Sequence, residues 1–119
     1  MSKTRDIRLF VGDVKESIEA IREYVEGLDF EGFAKDRKTY SAVIREFEII
    51  GEAVKHLPEN ITSKYDSIGW RDIKDFRNLL IHEYFGVDFE IVWNTIHDDL
   101  PKLYEAIVQI NAEVENERR

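Results

Sequence analysis

The stretch IRLFVGDVKESIEAIREYVEGL, residues 7–28, decides the fold class of this chain. Its apolar side chains recur every three or four positions, which is the spacing of one face of an α-helix. They are Ile7, Phe10, Val11, Val14, Ile18, Ile21, Val25 and Leu28, and glutamates face away from them. Such a helix is stable only when its stripe is buried, so the stretch predicts a helix over residues 4–28 that packs against other helices.

The same spacing continues to the end of the chain, which contains only two prolines and six glycines. Three more helices are predicted, over residues 36–56, from residue 70 to about 83–85, and over residues 89–115. The last stripe keeps its phase across Pro101, so we expect one long helix with a kink there and a frayed end. Together the four helices predict an all-α, antiparallel four-helix up-and-down bundle, with or without one extra short helix, as a single domain over residues 1–119.

Turn and cap residues mark the ends of these helices. Gly27, Gly32 and the polar residues between them predict the first turn, and Asp36 or Thr39 can cap the helix that follows. Residues 58–69 predict a loop with one short helical turn near residues 62–65. Asp88 can cap the last helix.

Composition excludes several classes of protein. A chain of 119 residues with 43% hydrophobic content can build one packed core. It has no cysteine, which excludes a disulfide scaffold, a thiolate zinc site and a thiol nucleophile. The net charge of −8 argues against a general nucleic-acid coat protein, because phosphate binding is driven by lysine and arginine. We see no signal peptide and no apolar run of about 20 residues, so we expect a cytoplasmic protein without membrane association.

Residues 64–82 are the least acidic strip in the middle of the chain. Four lysines and arginines stand there against three aspartates, a net charge of +1, so the remainder of the chain carries −9. An anionic ligand is best tolerated in this strip, and Arg71 and Lys74 are candidate contacts for it.

The residues that could carry chemistry are concentrated in WRDIKDFRNLLIHEYFGVD, residues 70–88. With Ile73 at zero on a helical wheel, apolar residues occupy an arc from about 240 through 0 to 80 degrees, and Arg77 falls inside that arc. An arginine enters such a face only beside an anionic or carbonyl partner, or at a cleft. A snorkelling or salt-bridged side chain is the structural explanation, and phosphate binding is the functional one.

Arg77 and His82 together favour the functional explanation. Histidine exchanges a proton near neutral pH, with an unperturbed pKa of about 6.5, and arginine can hold a phosphate through two hydrogen bonds. Asn78 can orient either group, and the Tyr84 hydroxyl can donate to the same anion. The sequence has no glycine-rich phosphate loop and no convincing set of metal ligands, so neither a metal nor a cofactor is predicted.

The other two histidines have simpler explanations. His56 lies at a predicted helix C-terminus, where a cation is favourable. His97 precedes Asp98 and Asp99 but has no second histidine at i+4, so a solvated face explains it better than a metal site does.

Residues 77–84 resemble the R-x-x-x-x-H-x-Y signature of the HEPN superfamily, with Arg77, His82 and Tyr84 at the motif positions. The setting is similar to that of the HepT toxins. A Trp-Arg pair precedes the motif, and an aromatic residue, a Val-Asp pair and a tryptophan follow it: Trp70, Arg71, Phe85, Val87, Asp88 and Trp93. The resemblance covers essentially the whole chain.

This resemblance implies a metal-independent endoribonuclease that acts as the toxin of a HEPN/MNT toxin-antitoxin pair. Arg77 and His82 would be catalytic, Asn78 and Tyr84 supporting, and Arg71 and Lys74 candidate RNA contacts. The implied partners are RNA, a second copy of the chain, and an MntA-type nucleotidyltransferase that adenylylates Tyr84. A homodimer is also suggested by aromatic residues that a slim bundle could not bury, namely Trp70, Phe85 and Trp93.

A second function stays open from the sequence alone. Similar bundles can be non-catalytic modules that bind a nucleotidyltransferase and present its substrate, and the net charge of −8 favours such a module. The grouping of Arg77, His82 and Tyr84 favours the ribonuclease, in which His82 would move a proton while an RNA 2′-OH attacks the adjacent phosphodiester.

Overall fold

The computed structural model describes residues 6–82 and 88–118, and all regular secondary structure in those residues is helical. In chain order the elements are α1 (Ile7–Val25), α2 (Phe30–Lys35), α3 (Arg37–Val54), α4 (Glu59–Thr62), a 3₁₀ turn (Ser63–Tyr65), α5 (Trp70–His82), α6 (Phe89–Asn94), a π-helical segment (Thr95–Asp99) and α7 (Leu100–Arg118). The predicted all-α bundle with an additional short helix is confirmed. Within these two ranges, no helix combines the length and the apolarity that a membrane crossing needs.

Aspartates begin four of these helices. The N-cap residues are Asp6, Asp29, Asp36 and Asp88, and each side chain accepts a hydrogen bond from a backbone N–H in the following turn. Such a cap stabilises a helix by about 1 kcal/mol. Of the two candidates predicted for α3, Asp36 is the cap, and Thr39 donates its backbone N–H and its hydroxyl to that carboxylate at 3.2 and 2.8 Å.

Helices α1 and α3 form the centre of the bundle. α3 packs against both α1 and α5, and α1 also packs against α7. Their aliphatic stripes fill the space between them, and Val14, Ile18, Ile50 and Ile107 are almost completely buried. Because α5 packs chiefly on α3, it is an outer helix of the bundle.

The first connection differs from its prediction. The helix predicted over residues 4–28 ends at Val25, because Gly27 turns the chain with a φ of 81°. Residue 4 lies outside the described residues. The simple turn predicted from Gly27 to Gly32 is wrong, because Asp29 caps the six-residue helix α2 and Gly32 lies inside it. A helix this short has no periodic stripe that a sequence pattern could reveal.

The last predicted helix is continuous but not uniform. The N–H of Leu100 bonds to the carbonyl of Thr95, five residues earlier, which widens the turn over the π-helical segment. Pro101 has no N–H to donate, and a wider turn just before it is one way to accommodate that loss. The structure thus shows a π-bulge directly before Pro101, and the kink predicted at Pro101 itself stays a prediction. The apolar stripe stays in phase, and α7 continues past residue 115 to Arg118.

The two tryptophans are accommodated within the chain. The indole N–H of Trp70 donates to the carbonyls of Thr62 and Tyr65, each at 3.1 Å. The ring of Trp93 packs against Phe33 with 5.2 Å between ring centroids. Both residues are nevertheless only partly buried, so their place in a dimer interface stays a prediction. Phe85 lies outside the described residues, and the homodimer stays a prediction.

Candidate active site

A few apolar contacts hold α5 on α3. Leu80 is fully buried, and the ring of Phe76 packs edge-on against Phe47 of α3 with 5.2 Å between centroids. Leu79 and Ile81, which the helical wheel placed on the apolar arc, are instead 45% and 42% exposed. The apolar arc is therefore only partly buried, because α3 covers only one side of the outer helix.

Arg77 lies on the side of α5 that faces α3, where it packs on Gly51. A Cβ atom at position 51 would lie 2.3 Å from the Cβ and 2.8 Å from the Cγ of Arg77. Only glycine can therefore occupy position 51 without displacing α5. The close approach covers the aliphatic stem of Arg77 and fixes where its guanidinium begins.

Two side chains hold the guanidinium of Arg77. Its Nη2 lies 3.0 Å from Oε1 of Glu52 on α3, and its Nη1 donates to Oδ1 of Asn78 at 3.1 Å. The side chain is 26% exposed, so its outer N–H groups can still be reached from solvent. Asn78 thus contacts Arg77, and its predicted role in orienting a catalytic group stays a prediction.

The Nε of Arg77 is buried and has no hydrogen-bond partner among the described residues. A buried donor without an acceptor costs about 1–3 kcal/mol. The salt bridge with Glu52 agrees with the structural explanation of Arg77 as a salt-bridged side chain. The unpartnered Nε does not agree with it, because this donor does not contribute to stability. Such an exception in a cleft is typical of a functional group.

Glu52 is the centre of a small charged cluster. Besides Arg77, it faces His56, whose Nε2 lies 3.4 Å from Oε2, and Lys55, whose Nζ lies 3.7 Å from Oε1. Partial burial alone would raise the pKa of Glu52. The hydrogen bond with His56 and the positive charges of Lys55 and Arg77 outweigh that effect and lower the pKa, so the carboxylate stays ionised at neutral pH.

His56 has a more specific place than the prediction gave it. It lies beyond the last residue of α3, as expected for a cation at a helix end, but its ring also stacks on Phe10 of α1. The two ring centroids are 4.4 Å apart and the planes are 12° from parallel. His56 therefore connects α1 to the Glu52 cluster.

Arg77 and Glu52 line a cleft of about 300 Å³ between α1, α3 and α5. Its walls combine apolar side chains with both charges: Phe10, Asp13, Arg45, Glu48, Ile49, Glu52, Ala53, Arg77 and Ile81. The volume is large enough for a small polar group such as a phosphate or a nucleobase, and Arg77 can meet an anion there.

His82 is exposed and does not line this cleft. Five residues along an α-helix correspond to a rotation of about 140 degrees and a rise of about 7.5 Å, so one chain does not direct Arg77 and His82 at the same atom. His82 shares an exposed face of α5 with Arg71, Lys74 and Asn78. The exposed side chains of Ile81 and Leu79 border this face on its two sides.

The remaining predicted residues are placed as follows. Tyr84 lies outside the described residues, so the structure gives no position for the predicted modification site. His97 is exposed in the π-helical segment, and its ring packs against Trp93 at 4.4 Å. In the described parts of the chain, no group of three or more His, Asp or Glu side chains is arranged to hold a metal ion.

Comparison with known proteins places this chain in a family. The family model described as "Ribonuclease HepT-like" matches residues 14–110, which include Glu52, Arg77 and His82. The chain belongs to the ribonuclease HepT-like family.

Individual HepT-like relatives agree with this assignment. The chain is 40% identical over 116 residues to a candidate RNase of Methanocaldococcus jannaschii, which covers 94% of this chain and 96% of the relative. It is 44% identical over 94 residues to the "Probable ribonuclease HepT" of Thermococcus cleftensis, covering 79% and 86% of the two chains. It is 40% identical over 103 residues to a candidate RNase of Caldanaerobacter subterraneus subsp. tengcongensis, covering 87% and 92%. No solved structure matches the chain.

Two residues that contact Arg77 in the candidate site were not predicted from the sequence. Gly51 and Glu52 both contact Arg77, yet neither was among the predicted site residues. A glycine inside a helix costs about 1 kcal/mol relative to alanine, so its place within the apolar stripe of α3 was a usable sign of a close helix contact.

Proposed function

We propose that this chain is an endoribonuclease that cleaves RNA with Arg77 and His82 and needs no metal ion. The observation that carries the proposal is the guanidinium of Arg77, fixed in the wall of a cleft with an unpartnered donor, on the same helix as an exposed histidine. Membership of the ribonuclease HepT-like family supports RNA as the substrate.

The reaction is an attack of the ribose 2′-OH on the adjacent phosphorus. A base removes the 2′-OH proton, the new P–O bond forms, and the 5′-oxygen of the next nucleotide leaves with a proton. The products are a 2′,3′-cyclic phosphate and a 5′-OH. His82 carries out one of the two proton transfers, and Arg77 stabilises the negative charge that develops on the phosphoryl oxygens. Arg71 and Lys74, exposed beside His82, bind neighbouring phosphates.

A second copy of the chain completes the site in this proposal. One chain presents Arg77 and His82 about 140 degrees apart, so pairing two copies along α5 brings more of these groups to a single phosphate. The exposed Leu79 and Ile81 on either side of the polar face supply apolar surface for that pairing.

Chelation is the direct test of the metal-independent reaction. Purified protein incubated with a labelled RNA in excess EDTA should cleave it as fast as without EDTA, because Arg77 and His82 supply the charge and the proton transfer. The fragments should carry a 2′,3′-cyclic phosphate and a 5′-OH, measured by mass spectrometry. Cleavage that disappears on chelation and returns with Mg²⁺, or fragments that carry a 5′-phosphate, would contradict the mechanism.

We also propose that the ribonuclease is a toxin neutralised by a partner nucleotidyltransferase. The partner transfers AMP from ATP to the hydroxyl of Tyr84 and releases pyrophosphate, which adds bulk and negative charge two residues after His82. The resemblance of the motif to that of the HepT toxins supports this regulation.

Intact mass measures the proposed modification. Incubation with the partner and ATP should increase the mass of the chain by multiples of AMP and abolish RNA cleavage. The Tyr84→Phe variant should keep its mass, because it lacks the acceptor oxygen. Labelling of the variant at the wild-type level, or a wild-type chain that stays unmodified, would refute the proposal.

The second candidate is a non-catalytic module that binds a nucleotidyltransferase. It is favoured by the net charge of −8 and by the pairing of Arg77 with Glu52, which neutralises the cation in the free chain. Expression in cells without the partner separates the two functions, because a ribonuclease toxin arrests growth and a module does not.

A further inference from the structure

We propose that Glu52 is a positioning residue of the ribonuclease site, which fixes the guanidinium of Arg77 for the transition state and weakens the binding of RNA in its ground state. This inference rests on the proposed ribonuclease function. It concerns a residue of α3 that lies 25 positions before Arg77 in the chain and outside the motif of α5.

The contacts of Glu52 show why it controls orientation. An arginine side chain loses much rotamer freedom when it is held, and Arg77 is held at both ends. Its stem is clamped on Gly51, and one of its terminal nitrogens is bonded to Glu52 at 3.0 Å. Asn78 follows Arg77 directly on the same helix, so it cannot anchor the guanidinium to the rest of the bundle. Glu52 is the contact that ties the guanidinium to α3.

The position of Glu52 is itself defined by two further groups. His56 holds Oε2 while Arg77 holds Oε1, and the ring of His56 is stacked on Phe10 of α1. The carboxylate is therefore oriented by His56, whose ring is in turn held against α1, before it orients Arg77. The guanidinium of Arg77 is thus a preorganised donor, which stabilises the transition state without a reorganisation cost.

The negative charge of Glu52 weakens the binding of RNA, although its contact with Arg77 favours the transition state. The cleft carries three carboxylates, those of Asp13, Glu48 and Glu52, against the cations of Arg45 and Arg77. Each carboxylate repels an incoming phosphate. Removing any one of the three carboxylates should therefore tighten the binding of RNA. Among the described residues, only Glu52 also contacts Arg77 at ion-pair distance.

Glu48 provides a matched control for this distinction. It lies one turn before Glu52 on α3, lines the same cleft and pairs with Arg45 at 3.4 Å. Replacing either glutamate with glutamine removes one negative charge from the cleft and keeps the shape of the side chain. Only Glu52→Gln removes a charge that contacts Arg77, because Glu48 pairs with Arg45 instead.

The test compares Glu52→Gln and Glu48→Gln with the wild type in steady-state RNA cleavage. For Glu52→Gln we expect a kcat about 10- to 100-fold lower, since misplaced catalytic groups cost up to about 10²-fold, with an unchanged or lower KM. For Glu48→Gln we expect a KM that is likewise unchanged or lower, with a kcat much closer to that of the wild type than the kcat of Glu52→Gln is. A merely structural role would lower the thermal stability and the active fraction together, so unfolding temperatures are measured alongside.

A second readout does not depend on activity. The guanidinium N–H resonances of ¹⁵N-labelled Arg77, assigned with the Arg77→Lys variant, report how fast the group rotates. Rotation should be slow in the wild type and in Glu48→Gln and fast in Glu52→Gln. If the wild type does not cleave RNA but this pattern is found, the proposed function fails, while the finding that Glu52 immobilises Arg77 stands. If Glu52→Gln keeps both the wild-type kcat and slow rotation, the positioning role is overturned while the ribonuclease remains.

Discussion

The Arg77→Ala variant is expected to cleave RNA about 10²- to 10³-fold more slowly than the wild type, which is the usual cost of removing one preorganised donor from an oxyanion site. Arg77 is the cation fixed in the cleft by Gly51, Glu52 and Asn78. Its removal leaves the phosphoryl charge of the transition state without that partner. Single-turnover cleavage of a labelled RNA measures the change in rate.

The same substitution should leave the bundle folded. Truncating Arg77 removes a buried donor that has no acceptor in the described chain, and Glu52 keeps its contacts with His56 and Lys55. The unfolding temperature should change by only a few degrees, as about 1 kcal/mol implies for a domain of this size. Arg45→Ala is the control, because Arg45 lines the same cleft but is 71% exposed and pairs with Glu48. An Arg77→Ala protein as fast as this control would disprove a catalytic Arg77.

The His82→Ala variant is expected to lose about 10²- to 10⁴-fold in the cleavage rate, the range that a general acid or base contributes. His82 is exposed on the polar face of α5, so its truncation should change the free energy of unfolding by less than about 0.5 kcal/mol. A large kinetic effect without a change in stability would separate chemistry from folding.

His97 supplies the control for this substitution. It is also an exposed histidine, but it lies in the π-helical segment and packs against Trp93. The His97→Ala protein should cleave RNA within a few-fold of the wild type. Equal losses in the two variants would indicate a general effect of removing a histidine, and an active His82→Ala protein would remove His82 from the mechanism.

The fold could be predicted from the sequence because the information is local. The stripe from Ile7 to Val25 specifies which face of α1 is buried, and Asp36 and Asp88 specify where later helices begin. Helix α2 was missed because six residues are too few to show a period of 3.6. The π-bulge was missed because it shifts hydrogen bonds without moving the apolar stripe out of phase.

The site could be predicted only in part. Residue types and a helical wheel were enough to single out Arg77 on the inner side of α5 and His82 on the outer side, because both lie on one helix. The contact of Arg77 with Gly51 and Glu52 depends on the register in which α5 packs on α3, and no local pattern encodes that register. The exposure of Leu79 and Ile81 has the same origin, because it depends on which neighbours α5 lacks.

The central claim is that Arg77 and His82 act on one phosphodiester, and the double variant Arg77→Ala/His82→Ala tests it most directly. Its single-turnover rate is measured in EDTA beside the wild type and both single variants. Groups that stabilise one transition state are strongly non-additive, so the double variant should be slower than the slower single variant by no more than about tenfold. Losses that multiply in the double variant would show that the two residues act independently, which would contradict the shared site.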